Sequence, residues 1–184
     1  SNFGATKTYG ECLDLSRDFA AYLQNTLGIK KGDRVATILP TSPQSVITDF
    51  AIQKTGGVHV PCSMLHRERE LIHELGASGA ETVICSDELL EVIVVGKGET
   101  NLKNIIITSI DDFSENAPHM ETPPGTYRLL ELIDQSEPLP PKVEIDPKTD
   151  LALLAFTGGA TGAPKGVMLT HYNLVANTMQ SLPW

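Results

Sequence analysis

The segment Asp150-Leu-Ala-Leu-Leu-Ala-Phe156 runs directly into Thr157-Gly158-Gly159-Ala160-Thr161-Gly162-Ala163-Pro164-Lys165-Gly166. Its first part is an apolar run with no breaker, which reads as a buried strand. Val167 to Leu169 can resume as a strand, and Thr170 can cap a helix running through Tyr172, Leu174 and Val175. The glycine-rich stretch therefore joins two strands, or a strand and a helix, and hangs from regular elements at both ends. Gly158, Gly159, Gly162 and Gly166 let the backbone take positive φ and approach a ligand with no Cβ in the way. Successive N–H groups can then converge on an anion. Thr157 and Thr161 add hydroxyl donors, Lys165 adds a mobile charge suited to a β- or γ-phosphate, and Pro164 stiffens the approach to it.

Two other readings compete. A plain hairpin connection takes about two to five residues, whereas residues 157–166 hold two threonines and a lysine among their ten positions. A Walker loop, Gly-x4-Gly-Lys-Ser/Thr, fails on counting: the fifth residue after Gly158 is Ala163 and after Gly159 is Pro164. Lys165 is also followed by Gly166 and not by a magnesium-binding hydroxyl.

Upstream, helix-like and strand-like segments alternate. Thr8 and Glu11 form a capping box opening a helix with Cys12, Leu15, Phe19, Leu23 and Leu27 on one face, stopped by Gly28. Arg34 to Leu39 reads as a short buried strand closed by Pro40. A helix over Ser42 to Lys54 is expected to bury Val46, Ile47, Phe50 and Ala51, before Gly56, Gly57 and the strand Val58 to Pro61. A helix near Arg67 to Ser78, burying Leu71, Ile72 and Leu75, leads to the strand Thr82 to Cys85. A short helix near Asp87 to Val94 and the strand Asn104 to Thr108 follow. Short apolar strands between amphipathic helices imply an α/β fold, a layered parallel sheet with helices on its faces. Asp111 to Thr126 reads as a surface loop and Tyr127 to Asp134 as a brief helix. The expected organisation is an α/β subdomain over 1–134, a Pro-rich linker or crossover over 135–149, and a phosphate-loop segment over 150–184.

Composition limits the partners. With 41% apolar residues an ordinary core is available, and no apolar run reaches the roughly 18 residues that suggest a membrane-crossing helix. A net charge of −9 argues against a nucleic-acid surface. All 23 acids and 13 of the 14 Lys and Arg lie in residues 1–150, so Lys165 is the single formal charge from Leu151 to Trp184. An anion meets the least repulsive part of the chain there. Cys12, Cys62 and Cys85 fit neither a close zinc pair nor a disulfide scaffold and read as reduced thiols of a cytoplasmic protein. His66, Glu70 and His73 could share one side of a helix, but no fourth ligand is identifiable, and a solvated face is the simpler reading.

Phe156 to Gly166, with Val167 to His171, resembles the signature of the adenylate-forming enzymes: acyl-CoA synthetases, luciferases and peptide-synthetase adenylation domains. Thr8-Tyr9-x-Glu11, Gly32-Asp33-Arg34-Val35, Leu39-Pro40-x-Ser42-Pro43, Lys54-Thr55-Gly56-Gly57 with Val60-Pro61, and Arg67-Glu68-Arg69-Glu70-Leu71 look like further landmarks of the family. The wording is most similar to fatty acyl-CoA ligases, including Gly158 where many relatives have Ser. The resemblance implies a carboxylic acid, expected to be a fatty acid, that attacks ATP to give acyl-adenylate and pyrophosphate, after which coenzyme A displaces AMP. It assigns nucleotide contacts to Thr157, Gly158, Gly159, Ala160, Thr161, Gly162 and Lys165, and places Thr157 near Mg2+. A homodimer is compatible with it. Two departures stand out. Ala160 replaces the family's usual Ser or Thr, removing a hydroxyl donor. The later motifs are not present in these residues: Tyr-Gly-x-Thr-Glu, the ribose aspartate and the C-terminal lysine. The expectation is therefore an N-terminal portion with no catalytic residue of its own, inactive alone. Adenylation of aryl or amino acids, or a non-catalytic module keeping the fold, are the alternatives.

Overall fold

The computed structural model describes residues 6–114, 117, 121–134, 139–159 and 162–181. The alternation read from the sequence is realised in order as α1 (Tyr9–Asn25), β1 (Arg34–Ile38), α2 (Pro43–Lys54), β2 (Val58–Pro61), α3 (Glu68–Ser78) and β3 (Thr82–Ser86). A short 3-10 turn then leads to α4 (Leu90–Gly96), β4 (Asn104–Thr108), β5 (Tyr127–Arg128), α5 (Leu129–Asp134), β6 (Leu151–Gly159), β7 (Gly162–Thr170) and α6 (His171–Ser181).

The capping signals act as expected. The Thr8 hydroxyl accepts from the Glu11 amide at 3.2 Å while the Glu11 carboxylate accepts from the Thr8 amide at 2.7 Å. Ser42 caps α2, with Pro43 in its first turn where no intrahelical N–H bond is lost. Gly28 does take the left-handed conformation, at φ 69°, but α1 has already ended at Asn25.

The sheet order is β5-β4-β3-β1-β2-β6-β7, parallel throughout except for the antiparallel β6/β7 pair. Period-two alternation divides its strands between two cores. Val35, Ile84 and Ile106 face α1, α2 and α5 and pack with Phe19, Leu23, Ile47, Ile52 and Leu132. Their neighbours Ala36, Ile38, Val83, Cys85, Ile105 and Ile107 face α3 and α4, against Leu71, Leu75 and Ile93. Burial on both faces explains why these strands read as unbroken apolar runs.

Three expectations need correction. Val46 and Phe50 are 42% and 55% exposed. The buried stripe of α2 runs through Ile47, Ala51 and Ile52 against α1 and the sheet, which turns Val46 and Phe50 about 100° away, one residue round the helix. Ile72 is only partly buried, and Glu74 takes a core position instead, at 1% exposure. Tyr127-Arg128 is an edge strand paired to Ile106 and Ile107, not helix. It is held by a buried ion pair between the Arg128 guanidinium and the Asp112 carboxylate.

From α5 at the β5 edge the chain must reach β6, five strand positions away, or about 24 Å at the usual spacing. That distance is why a Pro-rich, extended crossover suits this point. Its described part lies against the end of α1 and the following turn. Gln24 Nε2 donates to the Pro141 carbonyl at 3.4 Å, and Lys31 Nζ donates to the Glu144 carbonyl at 2.9 Å. Val143 covers Gly56, where a Cβ would come within 2.9 Å of it.

Candidate phosphate-binding hairpin

The stretch read as an open ten-residue loop is an antiparallel hairpin. Phe156 pairs with Gly166, Thr157 with Lys165 and Gly159 with Gly162, with a register shift between Thr157 and Gly159. The shape of the plain alternative is thus the one adopted, because ladder bonds claim backbone groups on both arms that a loop would have left free. Ala160 and Thr161 lie outside the described residues. Gly158, Gly159 and Gly162 belong to the strand ends flanking them.

The hairpin projects from the carboxyl edge of the parallel sheet. Leu153 is in register with His59, and β2 ends two residues later at Pro61, whereas β6 continues to Gly159. Pro61 thus falls level with Ala155, and the four residues Phe156 to Gly159 overhang by about 13 Å. In open α/β sheets that edge is where ligands bind. Leu154 and Phe156 pack against the α3/α4 core and root the β6 arm. Gly166 makes room for them, since a Cβ there would come within 2.8 Å of a Leu154 methyl.

Thr157 and Lys165, being register partners, stand side by side on the opposite face and are both exposed. The Thr157 hydroxyl sits 3.4 Å from the Lys165 carbonyl. Among the described residues Lys165 makes no ion pair, leaving its ammonium available to an anion.

The base of the hairpin is tied down. Asp150 Oδ2 lies 2.6 Å from Lys31 Nζ and accepts from the Asp146 amide at 2.7 Å. The hydrogen bond from Lys31, then that from Asp146, holds the Asp150 carboxyl below its ordinary pKa. Thr170 and Asn173 cap α6 reciprocally, and the Tyr172 amide donates to the Pro147 carbonyl at 2.7 Å. Burial pushes His171 below its ordinary pKa, opposed by Asp150 and reinforced by Lys31. A neutral His171 leaves Lys165 as the fixed positive charge of the described part of residues 151–181. Lys31 was not legible as part of this arrangement, because it meets Asp150 only through the tertiary fold.

The other cluster weighed from sequence does not assemble. His66 precedes α3 and lies 3.1 Å from Glu74, while Glu70 receives the Arg67 amide. Among the described residues no group of three His, Cys, Asp or Glu comes together to hold a metal. A polar chain runs from α2 onto the sheet: half-exposed Asp49 has Oδ1 2.8 Å from His59 Nδ1, and His59 Nε2 is 2.7 Å from the buried Thr37 hydroxyl. The order is that of a catalytic triad, but Thr37 is 6% exposed inside the sheet, so no substrate reaches its hydroxyl.

The family model of the AMP-binding enzymes matches residues 2–183. The chain belongs to that family. The chain is 34% identical over 200 residues to a long-chain-fatty-acid–CoA ligase of Bacillus subtilis, covering 100% of the chain and 35% of the relative. It is 31% identical over 183 residues to 4-coumarate–CoA ligase 4 of Arabidopsis thaliana, covering 97% of the chain and 30% of the relative. The crystal structure of a long-chain-fatty-acid–CoA ligase from Archaeoglobus fulgidus superimposes with a TM-score of 0.78 at 29% identity, covering 94% of the chain and 32% of that protein. The chain thus spans about a third of the length of the relatives it matches. Among its described residues no helix is long and apolar enough to cross a membrane.

Proposed function

We propose that this AMP-binding chain is the phosphate-gripping portion of an ATP-dependent acyl-CoA synthetase. The parent enzyme joins a fatty acid to coenzyme A through an acyl-adenylate, releasing AMP and pyrophosphate. One observation carries the reading: an exposed hydroxyl and an ammonium with no ion pair among the described residues, Thr157 and Lys165, stand side by side on a hairpin overhanging the carboxyl edge of the sheet. The acid-free sequence from Leu151 to Trp184 supports it.

In this reading Lys165 neutralises charge on the β- and γ-phosphates as the bond to the α-phosphate breaks, which favours pyrophosphate as leaving group. Thr157 and the backbone of Gly158, Gly159, Ala160, Thr161 and Gly162 orient those phosphates. Magnesium fits here as an ion carried by the nucleotide, since the described hairpin offers the Thr157 hydroxyl and no carboxylate. When bound it screens phosphate charge. The acyl-transfer machinery then lies outside these residues, and the chain by itself binds nucleotide without turning it over. Similarity to the fatty-acid ligase favours a fatty acid over the aryl acid named for the 4-coumarate relative. Three free thiols support a reducing, cytoplasmic setting.

Calorimetric titration of the chain with MgATP and with pyrophosphate tests the reading. Lys165→Ala should weaken both by roughly tenfold or more, the scale of a lost charge-assisted contact. Equal affinity in wild type and Lys165→Ala would refute it.

A further inference from the structure

We propose that Lys31 is a positioning residue for the hairpin, acting through Asp150; this rests on the phosphate-binding reading above. The hairpin has few fixed points. β7 is the sheet edge, β6 registers on β2 at His59–Leu153, and no residue of α6 is buried. Leu154 and Phe156 root the β6 arm in the α3/α4 core, and what holds the base sets the rest of its orientation.

Lys31 is placed to do so. It lies in the turn between α1 and β1, and its stem runs over Gly56, whose absent Cβ would sit 3.2 Å from Lys31 Cγ. Gly56 has φ 72°, and its carbonyl accepts from the Gly32 amide at 2.9 Å, so the turn carrying Lys31 is itself anchored. From there one ammonium reaches the crossover at the Glu144 carbonyl, 2.9 Å away, and the residue before β6 at the Asp150 carboxylate, 2.6 Å away. Asp150 also closes the 146–150 turn through the Asp146 amide, and its carbonyl receives the His171 amide at 3.4 Å. One side chain thus links the rigid sheet to the base of the hairpin, where β6 begins and β7 ends.

Half-exposed ion pairs contribute little to global stability, so the consequence is geometric. Beyond Ala155 the hairpin overhangs by about 13 Å of strand, and a tilt of about 7° moves the tip by about 1.5 Å. Misplacement by about 1 Å is enough to cost a site up to about a hundredfold.

The test uses Lys31→Met, Lys31→Arg, Asp150→Asn and the double variant Lys31→Met/Asp150→Asn. Two readouts are taken at a temperature where all are folded: MgATP affinity, and the distance distribution between spin labels at positions 65 and 163 in a Cys12→Ser background. Lys31→Met should weaken MgATP about tenfold and broaden or shift the distribution. The double variant should be no worse than either single one, and Lys31→Arg should restore both readouts. An unchanged distribution in Lys31→Met overturns the proposal, as does a loss that Lys31→Arg fails to rescue. If wild type binds no MgATP, the phosphate reading fails, while the label distances still decide whether Lys31 sets the hairpin's orientation.

Discussion

Arg128→Met should be among the most damaging single substitutions in this chain, although Arg128 lies far from the hairpin, on the opposite edge strand. Its guanidinium meets Asp112 where the two side chains are 7% and 1% exposed. The Asp112 carboxylate also accepts from the Thr108 hydroxyl at 2.8 Å and from the Ser109 amide at 2.9 Å, closing the turn after β4. Removing Arg128 leaves those two bonds but strands a buried negative charge, a change that costs about 3–5 kcal/mol. With total stabilities of about 5–15 kcal/mol for a domain, that is a large share. The assay is equilibrium urea unfolding followed by far-UV circular dichroism, with Asp112→Asn and the double variant Asp112→Asn/Arg128→Met alongside. The double variant should recover part of the loss, because no unpaired charge then stays buried. A loss under about 1 kcal/mol for Arg128→Met would refute the argument, placing this pair with exposed ion pairs.

Ala160→Thr should tighten MgATP binding, because a restored hydroxyl donor is worth roughly 0.5–1.5 kcal/mol; unchanged affinity would remove any role for that side chain. Burial disfavours ionisation of Asp49, but the hydrogen bond and charge of His59, then Gln53, outweigh it and hold the carboxyl below its ordinary value of 3.8. A depressed carboxylate contributes stability above that value and loses it as pH falls through the depressed one. Asp49→Asn should therefore flatten the acid end of the urea midpoint's pH profile, and an unaltered profile would count against the His59 contact. Burial, with Asp87 adding to it, pushes the Cys85 thiol up to about 12, and burial with Glu74 raises Cys62. Mass spectrometry after brief native alkylation should then find Cys12 modified well before Cys62 and Cys85.

The sheet, its helices and their caps were legible because they rest on local physics. Thr8 with Glu11, Ser42 with Pro43, and Thr170 ahead of α6 satisfy helix ends within a turn of themselves. The apolar runs Val35–Ile38 and Ile105–Ile107 announce strands covered on both faces. Tyr127-Arg128 was missed because two residues carry no periodicity; their strand state comes from pairing with β4 and from Asp112.

At the hairpin the division follows the same physical line. Residue types alone suggested the proposed chemistry: four glycines, two threonines and one lysine in an acid-free segment suit a polyphosphate, and counting excluded a Walker loop. What only the tertiary structure decided is how those groups are presented. Strand pairing turned the expected loop into a hairpin and set Thr157 beside Lys165. Sheet register sent it past the carboxyl edge, and Lys31 tied its base to a turn far back in the chain. Composition and spacing reveal what a segment can bind, because that depends on its own atoms. Where it is held depends on contacts between residues distant in sequence, which a local pattern does not encode.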